Sequence, residues 1–226
     1  IITLTTDFGL RDHYVASVKG VLMAALPGVQ LVDVSHLIKP FNLQEAAFVL
    51  GNSYVHYPKG SIHICGVKTE LTANIRHIAL LANGHYFIGA DNGMFSLMFP
   101  EGVEKIRRLA VLQTSFPTLE VFAKVAIKLT KGDTLESLGE EQKGLLGMIS
   151  FNAGSVSDLI KGTIVYIDSY GNLITNITRQ LFSSVGKGRP FVIEVKLEEL
   201  RRIHASYITE QRGGLQAIFN KSHNKG

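Results

Sequence analysis

The chain has 226 residues, 46% of them apolar, and a formal net charge of +4. That length suits one large domain or two small ones, and that composition excludes a disordered chain. No apolar run approaches the roughly 18 residues of a membrane span, and no basic region precedes an apolar stretch at the N-terminus, so neither a membrane nor a signal peptide is expected. The basic residues fall in small clusters, Lys105-Ile106-Arg107-Arg108, Arg201-Arg202 and the tail from Asn220 onward. They lack the one-sided concentration and aromatic interleaving of a nucleic-acid binder and read as solvated surface. The single Cys65 lies in an apolar run, reads as core packing, and fits a reducing, cytoplasmic setting.

Residues 1–6 are apolar and β-branched, the pattern of a buried strand. A helix is predicted from Asp12, with Val15, Val18, Leu22 and Ala25 on one face and Pro27-Gly28 as its stop. A strand over 29–34 and a helix over about 43–57 follow, the latter with Ala46, Ala47, Leu50 and Tyr54 on a stripe. Residues 61–67 repeat the buried-strand pattern, and 75–89 read as a hairpin turning on Asn83-Gly84. A second pair, Asn92-Gly93, punctuates the approach to the apolar residues 94–99, and a helix is expected over about 120–129.

From about residue 146 the composition shifts, and 147–162 are rich in Gly, Ser and Asn. The expected architecture is α/β. An N-terminal domain (1–150) holds a central, largely parallel or mixed sheet, and a small, mostly antiparallel β domain (151–226) follows. Strands are expected in the second domain near 163–168, 190–197 and 214–219, with a helical turn at 197–202.

The phosphate-binding loop, dinucleotide fingerprint, zinc-protease and Cys-x-x-Cys motifs and the hydrolase nucleophile elbow are absent from the sequence. His36 and His63 read as hydrogen-bonded structural residues. Thr5-Thr6-Asp7-Phe8-Gly9 sits where a parallel strand ends, on the edge where α/β sheets bind ligands. Asp7 there suits two readings, an acceptor for a vicinal diol such as a ribose and a cap for the following turn.

That motif does not stand alone. Residues 12–15, 19–21, 32–36, 44–48, 60–63 and 91–93, and Gly171-Asn172-Leu173-Ile174-Thr175-Asn176-Ile177, follow it in a recognisable order and spacing. Together they resemble the S-adenosylmethionine (SAM) hydroxide adenosyltransferases, the adenosine-forming SAM hydrolases, whose relatives are the fluorinases and chlorinases. The resemblance implies a homotrimer with SAM or adenosine bound between the N-terminal domain of one subunit and the C-terminal domain of the next. It implies displacement of methionine at the ribose 5′ carbon by hydroxide or halide, with no cofactor or metal beyond SAM as substrate or ligand. Asp7 would hold the ribose hydroxyls and Phe41 would wall the sugar. Asp168 would contact the methionine amine, Asn172 the adenine, and Tyr170 would stack beside it, with packing in the β domain as the other reading of Tyr170.

Three positions depart from the family pattern. Its Asp-Pro-Gly-Val-Gly-Thr-x-Arg-Arg stretch becomes residues 68–76 here, with Lys68 at the catalytic Asp, Ile75 at the catalytic Arg, and only the second Arg kept, as Arg76. The catalytic His falls on Pro117. A cation at Lys68 about 5 Å from a bound sulfonium would weaken binding by about 3 kcal/mol at an effective dielectric near 20, unless Glu70 offsets it. Thr118 keeps a hydroxyl where the halide-using branch has a serine, and it also reads as an N-cap for the helix near Glu120. Candidate reacting residues are therefore Lys68, Arg76 and Thr118. The two functions left open are an adenosyl-transferring enzyme and an adenosine-binding pseudoenzyme. The resemblance also implies a further strand and short helix beyond Gly226 that help close the adenine pocket.

Overall fold

The computed structural model describes residues 1–147, 153–205 and 215–219. By contacts the chain divides into two compact units, Ile1–Ser150 and Phe151–Gly226.

In the first unit, β1 (Ile2–Thr6) leads into α1 (Tyr14–Ala25), β2 (Leu31–Ser35), α2 (Leu43–Ser53) and β3 (Ile62–Gly66). Next come β4 (His77–Ala82), β5 (His85–Ala90), the short α3 (Met94–Met98) and β6 (Lys105–Leu109). A π-helical turn at Thr118–Phe122 runs into α4 (Ala123–Thr130), and β7 (Gly139–Glu141) closes the unit. The sheet order is β2-β1-β3-β5-β4-β6-β7. The pairs among β2, β1, β3 and β5 are parallel, and those among β5, β4, β6 and β7 are antiparallel.

Strand alternation divides the core between the two faces of this mixed sheet. Ile2, Leu4, Ile62, Ile64 and Ala79 pack with Val18 and Leu22 of α1, with Phe122 of the π turn and with Ala126 of α4. On the opposite face, Ile78, Leu80 and Phe87 pack with Ala46 and Leu50 of α2 and Phe95 of α3. Helices therefore cover both faces, as buried parallel strands require.

Local chemistry explains the boundaries. Asn42 caps α2 by accepting the Glu45 N–H at 3.1 Å, while Glu45 Oε2 takes the Asn42 side-chain N–H at 3.1 Å. Asn83 and Gly84 adopt φ of 53° and 79°, the left-handed pair a type I′ hairpin needs. Thr3, His63 and His85 form a buried hydrogen-bonded row, so His63 is structural as expected.

Several expectations shift. α1 begins at Tyr14 rather than Asp12, with no side-chain cap on its first turn. β2 begins at Leu31, leaving Val29 outside it. Residues 94–98 form a helix. The basic run at 105–108 is strand β6, in which Ile106 is buried. Arg107 lies 3.7 Å from Glu141 and Lys105 lies 2.5 Å from Glu136, so these two members of the cluster are paired with carboxylates on neighbouring segments.

The second unit carries the antiparallel pairs β8 (Gly154–Val156) with β9 (Leu159–Lys161) and β10 (Ile164–Ile167) with β11 (Leu173–Thr175). After α5 (Arg179–Gly186) come β12 (Ile193–Val195) and β13 (Glu198–Leu200), also antiparallel. β14 (Ile203–His204) and β15 (Ala217–Ile218) pair in parallel. The helical turn expected at 197–202 is instead β13, its tight turn made by Lys196 at φ 56°. Helix α5 was not anticipated. Thr178 caps it by accepting the Leu181 N–H, and Phe182 packs on Phe191 and Phe219. Part of the expected boundary (148–152), part of the 214–219 strand and the basic tail lie outside the described residues.

Candidate functional site

Asp7 follows the last residue of β1, with β2 and β3 on either side. Its Oδ2 accepts the Phe41 N–H at 2.9 Å. Phe41 can aim that N–H inward because it adopts φ 63°, a conformation uncommon outside glycine. Its ring is left 61% exposed. Burial pushes the Asp7 carboxyl above its ordinary range, and the charge of Glu70 adds to the rise. The backbone N–H groups of Phe41, Asp7 itself and Lys68 act in the opposite sense.

The loop after β3 is held from several sides. Lys68 turns at φ 47°. Asn92 donates to the carbonyls of Val67 (3.0 Å) and Lys68 (2.9 Å) and accepts the Met94 N–H. His77 Nε2 lies 2.8 Å from the Thr69 carbonyl, which only accepts, so that nitrogen carries the proton. Burial holds the His77 pKa down, keeping the ring neutral. What Lys68 presents to Asp7 is its backbone N–H, and its side chain is exposed.

Thr118 opens the π turn and is fully buried. Its Oγ1 meets no hydrogen-bond partner among the described residues. It packs over Gly66, where an added Cβ would lie 2.8 Å from Thr118 Oγ1 and 3.0 Å from Thr6 Cγ2. The N-cap reading of Thr118 is thereby corrected. The turn starts at Thr118 itself, Pro117 occupies the cap position, and no side chain caps it. Phe8, Tyr14 and Phe116 form an aromatic cluster with centroids 5.3 to 5.7 Å apart beside the Asp7 turn.

Arg76 is turned onto its own loop, donating to the carbonyls of Thr72 (2.5 Å) and Ile75 (3.1 Å). With Asn74, Asp91, Arg108 and Gln142 it lines an open depression of about 460 Å³. Asp91 is held there by the Gln142 amide at 2.7 Å and the Leu146 N–H at 2.9 Å.

Within the second unit, Asp168, Tyr170 and Asn172 share the β10–β11 turn. Asp168 Oδ1 accepts the N–H groups of Tyr170 and Asn172, each at 2.9 Å, and Oδ2 accepts the Asn172 side-chain N–H at 2.7 Å. The Asn172 side chain foremost, with these backbone donors, lowers the Asp168 pKa. Tyr170 is 92% exposed, which overturns its reading as β-domain packing.

Asp7, Phe41, Lys68 and Thr118 thus gather around the ends of β1 and β3, while Arg76 serves its own loop. Sequence reasoning valued Glu70 only as a foil for Lys68, although its charge acts on Asp7. It left the loop-holding parts of Asn92 and His77 unassigned. Asn92 was signalled by its Asn-Gly pair, whereas nothing in the sequence marked His77.

Comparison with known proteins bears on the whole chain. Residues 2–139 match the model of the SAM hydroxide adenosyltransferase N-terminal domain, and residues 162–224 match that of its C-terminal domain. The (R)-S-adenosyl-L-methionine hydrolase of Methanocaldococcus jannaschii is 29% identical over 79% of this chain and 67% of its own. That of Thermus thermophilus is 29% identical over 77% of this chain and 73% of its own. A fluorinase of an Actinoplanes species is 24% identical over 83% of this chain and 75% of its own. Among solved structures, an uncharacterized conserved protein from Thermotoga maritima superposes with a TM-score of 0.79 at 25% identity. It is matched over 88% of this chain and 81% of that one. The two family models cover both units, and on that ground the chain belongs to the SAM hydroxide adenosyltransferase family.

Proposed function

We propose that the chain binds SAM or its adenosine portion, with Asp7 as the acceptor for the ribose hydroxyls. The observation that carries this reading is the state of Asp7. It is a partly buried carboxylate with a raised pKa, and one well-directed hydrogen bond reaches it, from Phe41. A carboxylate has about four lone-pair sites, and a vicinal diol supplies two donors where burial has removed water. The exposed Phe41 ring stands next to that position as a wall for the sugar.

Asp168 organises the turn that presents Tyr170 and Asn172, and the lone-pair site left on its Oδ2 is the proposed contact for the methionine amine. Asn172 spends one side-chain N–H on Asp168, leaving its carbonyl oxygen for the adenine edge, and Tyr170 offers an exposed ring for stacking. The assembly proposed is a cytoplasmic homotrimer in which these residues serve a neighbouring subunit's Asp7. SAM is substrate or ligand, and no further cofactor is invoked. The test is a thermal melt with adenosine, SAM and S-adenosylhomocysteine. Adenosine raises the melting temperature of the wild type, and Asp7→Ala abolishes the shift. Absence of a shift with all three compounds overturns the proposal.

The buried, unpartnered Thr118 hydroxyl favours a second reading, in which turnover persists. Water oxygen attacks the ribose 5′ carbon, the carbon–sulfur bond breaks with its electron pair leaving on methionine, and the proton passes to solvent. Thr118 then helps hold the nucleophile. Lys68 and Arg76 contribute the shape of their loop, since neither Ile75 nor Pro117 can orient hydroxide or move a proton. SAM incubated with the protein yields adenosine and methionine in equal amounts under this reading. Product no greater than that of a heat-inactivated sample leaves the binding function alone.

A further inference from the structure

Three residues in the shared motifs have no part in the site as described, namely Lys19, Asp33 and His36, and the structure links them in one line. Lys19 Nζ on α1 lies 2.5 Å from Asp33 Oδ2 on β2. Asp33 Oδ1 lies 3.0 Å from His36 Nε2, somewhat off the line of a well-directed hydrogen bond. His36 Nδ1 lies 2.7 Å from Thr6 Oγ1, and both side chains are buried. Thr6 is the last residue of β1, immediately before Asp7.

The direction of the line follows from its acceptors. Asp33 beside Nε2 assigns the ring proton to that nitrogen. Nδ1 then accepts the Thr6 hydroxyl hydrogen, and Thr6 Oγ1 is left to accept the Phe8 N–H, at 3.4 Å. The His36 main chain grips the same turn from its far end, because its carbonyl accepts the Gly9 N–H at 2.7 Å. Five residues on, the Phe41 N–H reaches Asp7 Oδ2. Segment 33–41 therefore holds segment 6–9 at three places, with His36 supplying two of them.

We infer that His36, oriented by Asp33, is a positioning residue that fixes the Asp7 turn for its ligand. It reaches the ligand only indirectly, through Thr6 and Gly9. The inference rests on the proposed role of Asp7 for its functional meaning. A ribose acceptor displaced by about 1 Å loses its two-point hydrogen bonding, whereas the core beneath is served by any apolar ring that fills the space.

The experiment measures two things on wild type, His36→Leu, His36→Asn and Thr6→Val, namely amide hydrogen exchange and adenosine affinity. In His36→Leu the Gly9 and Phe41 amides exchange at least tenfold faster than in wild type, while amides in the centre of β1 and β3 are unchanged. The adenosine Kd rises about tenfold. His36→Asn offers an acceptor near the Nδ1 position and restores both readings to within about threefold. Thr6→Val keeps the methyl packed near Gly66, loses the hydroxyl, and repeats the leucine result. It also serves should the leucine variant not fold. Unchanged exchange at Gly9 and Phe41 overturns the inference. So does a uniform rise across the sheet, which is the signature of a merely structural histidine. If wild type fails to bind adenosine the function proposed for Asp7 falls, and the exchange measurement alone still decides whether His36 fixes the turn.

Discussion

Thr118→Val isolates the energetic consequence of a buried hydroxyl with no partner. Thr118 is fully buried, and its Oγ1 meets no donor or acceptor among the described residues. Leaving a hydroxyl unsatisfied in the interior costs about 1–3 kcal/mol. Valine has the same branched shape, so helix propensity and rotamer preference nearly cancel, and the new methyl occupies the volume of the oxygen. The tight approach to Gly66 trims the gain, because that side chain has no slack toward β3. A net stabilisation of about 1–2 kcal/mol is expected, which for a chain of this size raises the melting temperature by roughly 3 °C per kcal/mol. Thr118→Ser keeps the hydroxyl and removes the buried methyl, losing about 1 kcal/mol. The order of stability is therefore Val above Thr above Ser, read from urea unfolding followed by far-ultraviolet circular dichroism. A valine variant less stable than wild type by more than about 0.5 kcal/mol refutes the reasoning, since the hydroxyl would then be satisfied in the folded protein. If Thr118 is retained for a ligand, the valine variant gains stability and loses turnover or ligand affinity together.

Asp7→Asn probes burial of charge. A carboxyl whose folded pKa lies above its unfolded value adds stability below the unfolded pKa, and that contribution is lost as pH rises through the folded pKa. The asparagine variant should thus unfold at higher denaturant than wild type at pH 7, with the gap closing toward pH 4; a lower midpoint at pH 7 contradicts the burial argument. His63 runs the other way, its pKa held down to about 3 foremost by burial and then by His85. Stability is full above the unfolded value near 6.5 and falls as the pH drops toward 3, so at pH 5 wild type has lost about 2 kcal/mol through this group. His63→Gln, less stable at pH 7.5, shows about that much less decline between pH 7.5 and 5 in parallel denaturant titrations. Tyr170→Ala leaves unfolding within about 0.5 kcal/mol, because the ring is exposed. Calorimetric affinity for adenosine falls at least tenfold, and equal affinity removes the stacking role.

The core was legible in the sequence to the extent that periodicity encodes burial. Residues 1–6 and 61–67 carry apolar or β-branched side chains at most positions because both faces of their strands are covered, and the hairpin at Asn83-Gly84 was marked by residues that tolerate left-handed φ. Strand β6 was hidden because Lys105 and Arg107 find carboxylates on neighbouring segments, which no local pattern announces. Helix α5 was hidden because its few apolar side chains meet partners distant in sequence, Phe182 against Phe191 and Phe219.

The site divides along the same line. By itself the sequence determined the strand-end carboxylate and the family it belongs to, because those are matters of residue type and order. Tertiary structure alone decided that Phe41 and Lys68 turn their backbones toward Asp7, that Arg76 folds onto its own loop, and that Thr118 is buried over Gly66 without a partner. It also joined Lys19, Asp33 and His36 to Thr6 across three elements. Hydrogen bonds between residues 14 to 61 positions apart depend on where the chain returns, and hydrophobic pattern records only which face a residue turns inward.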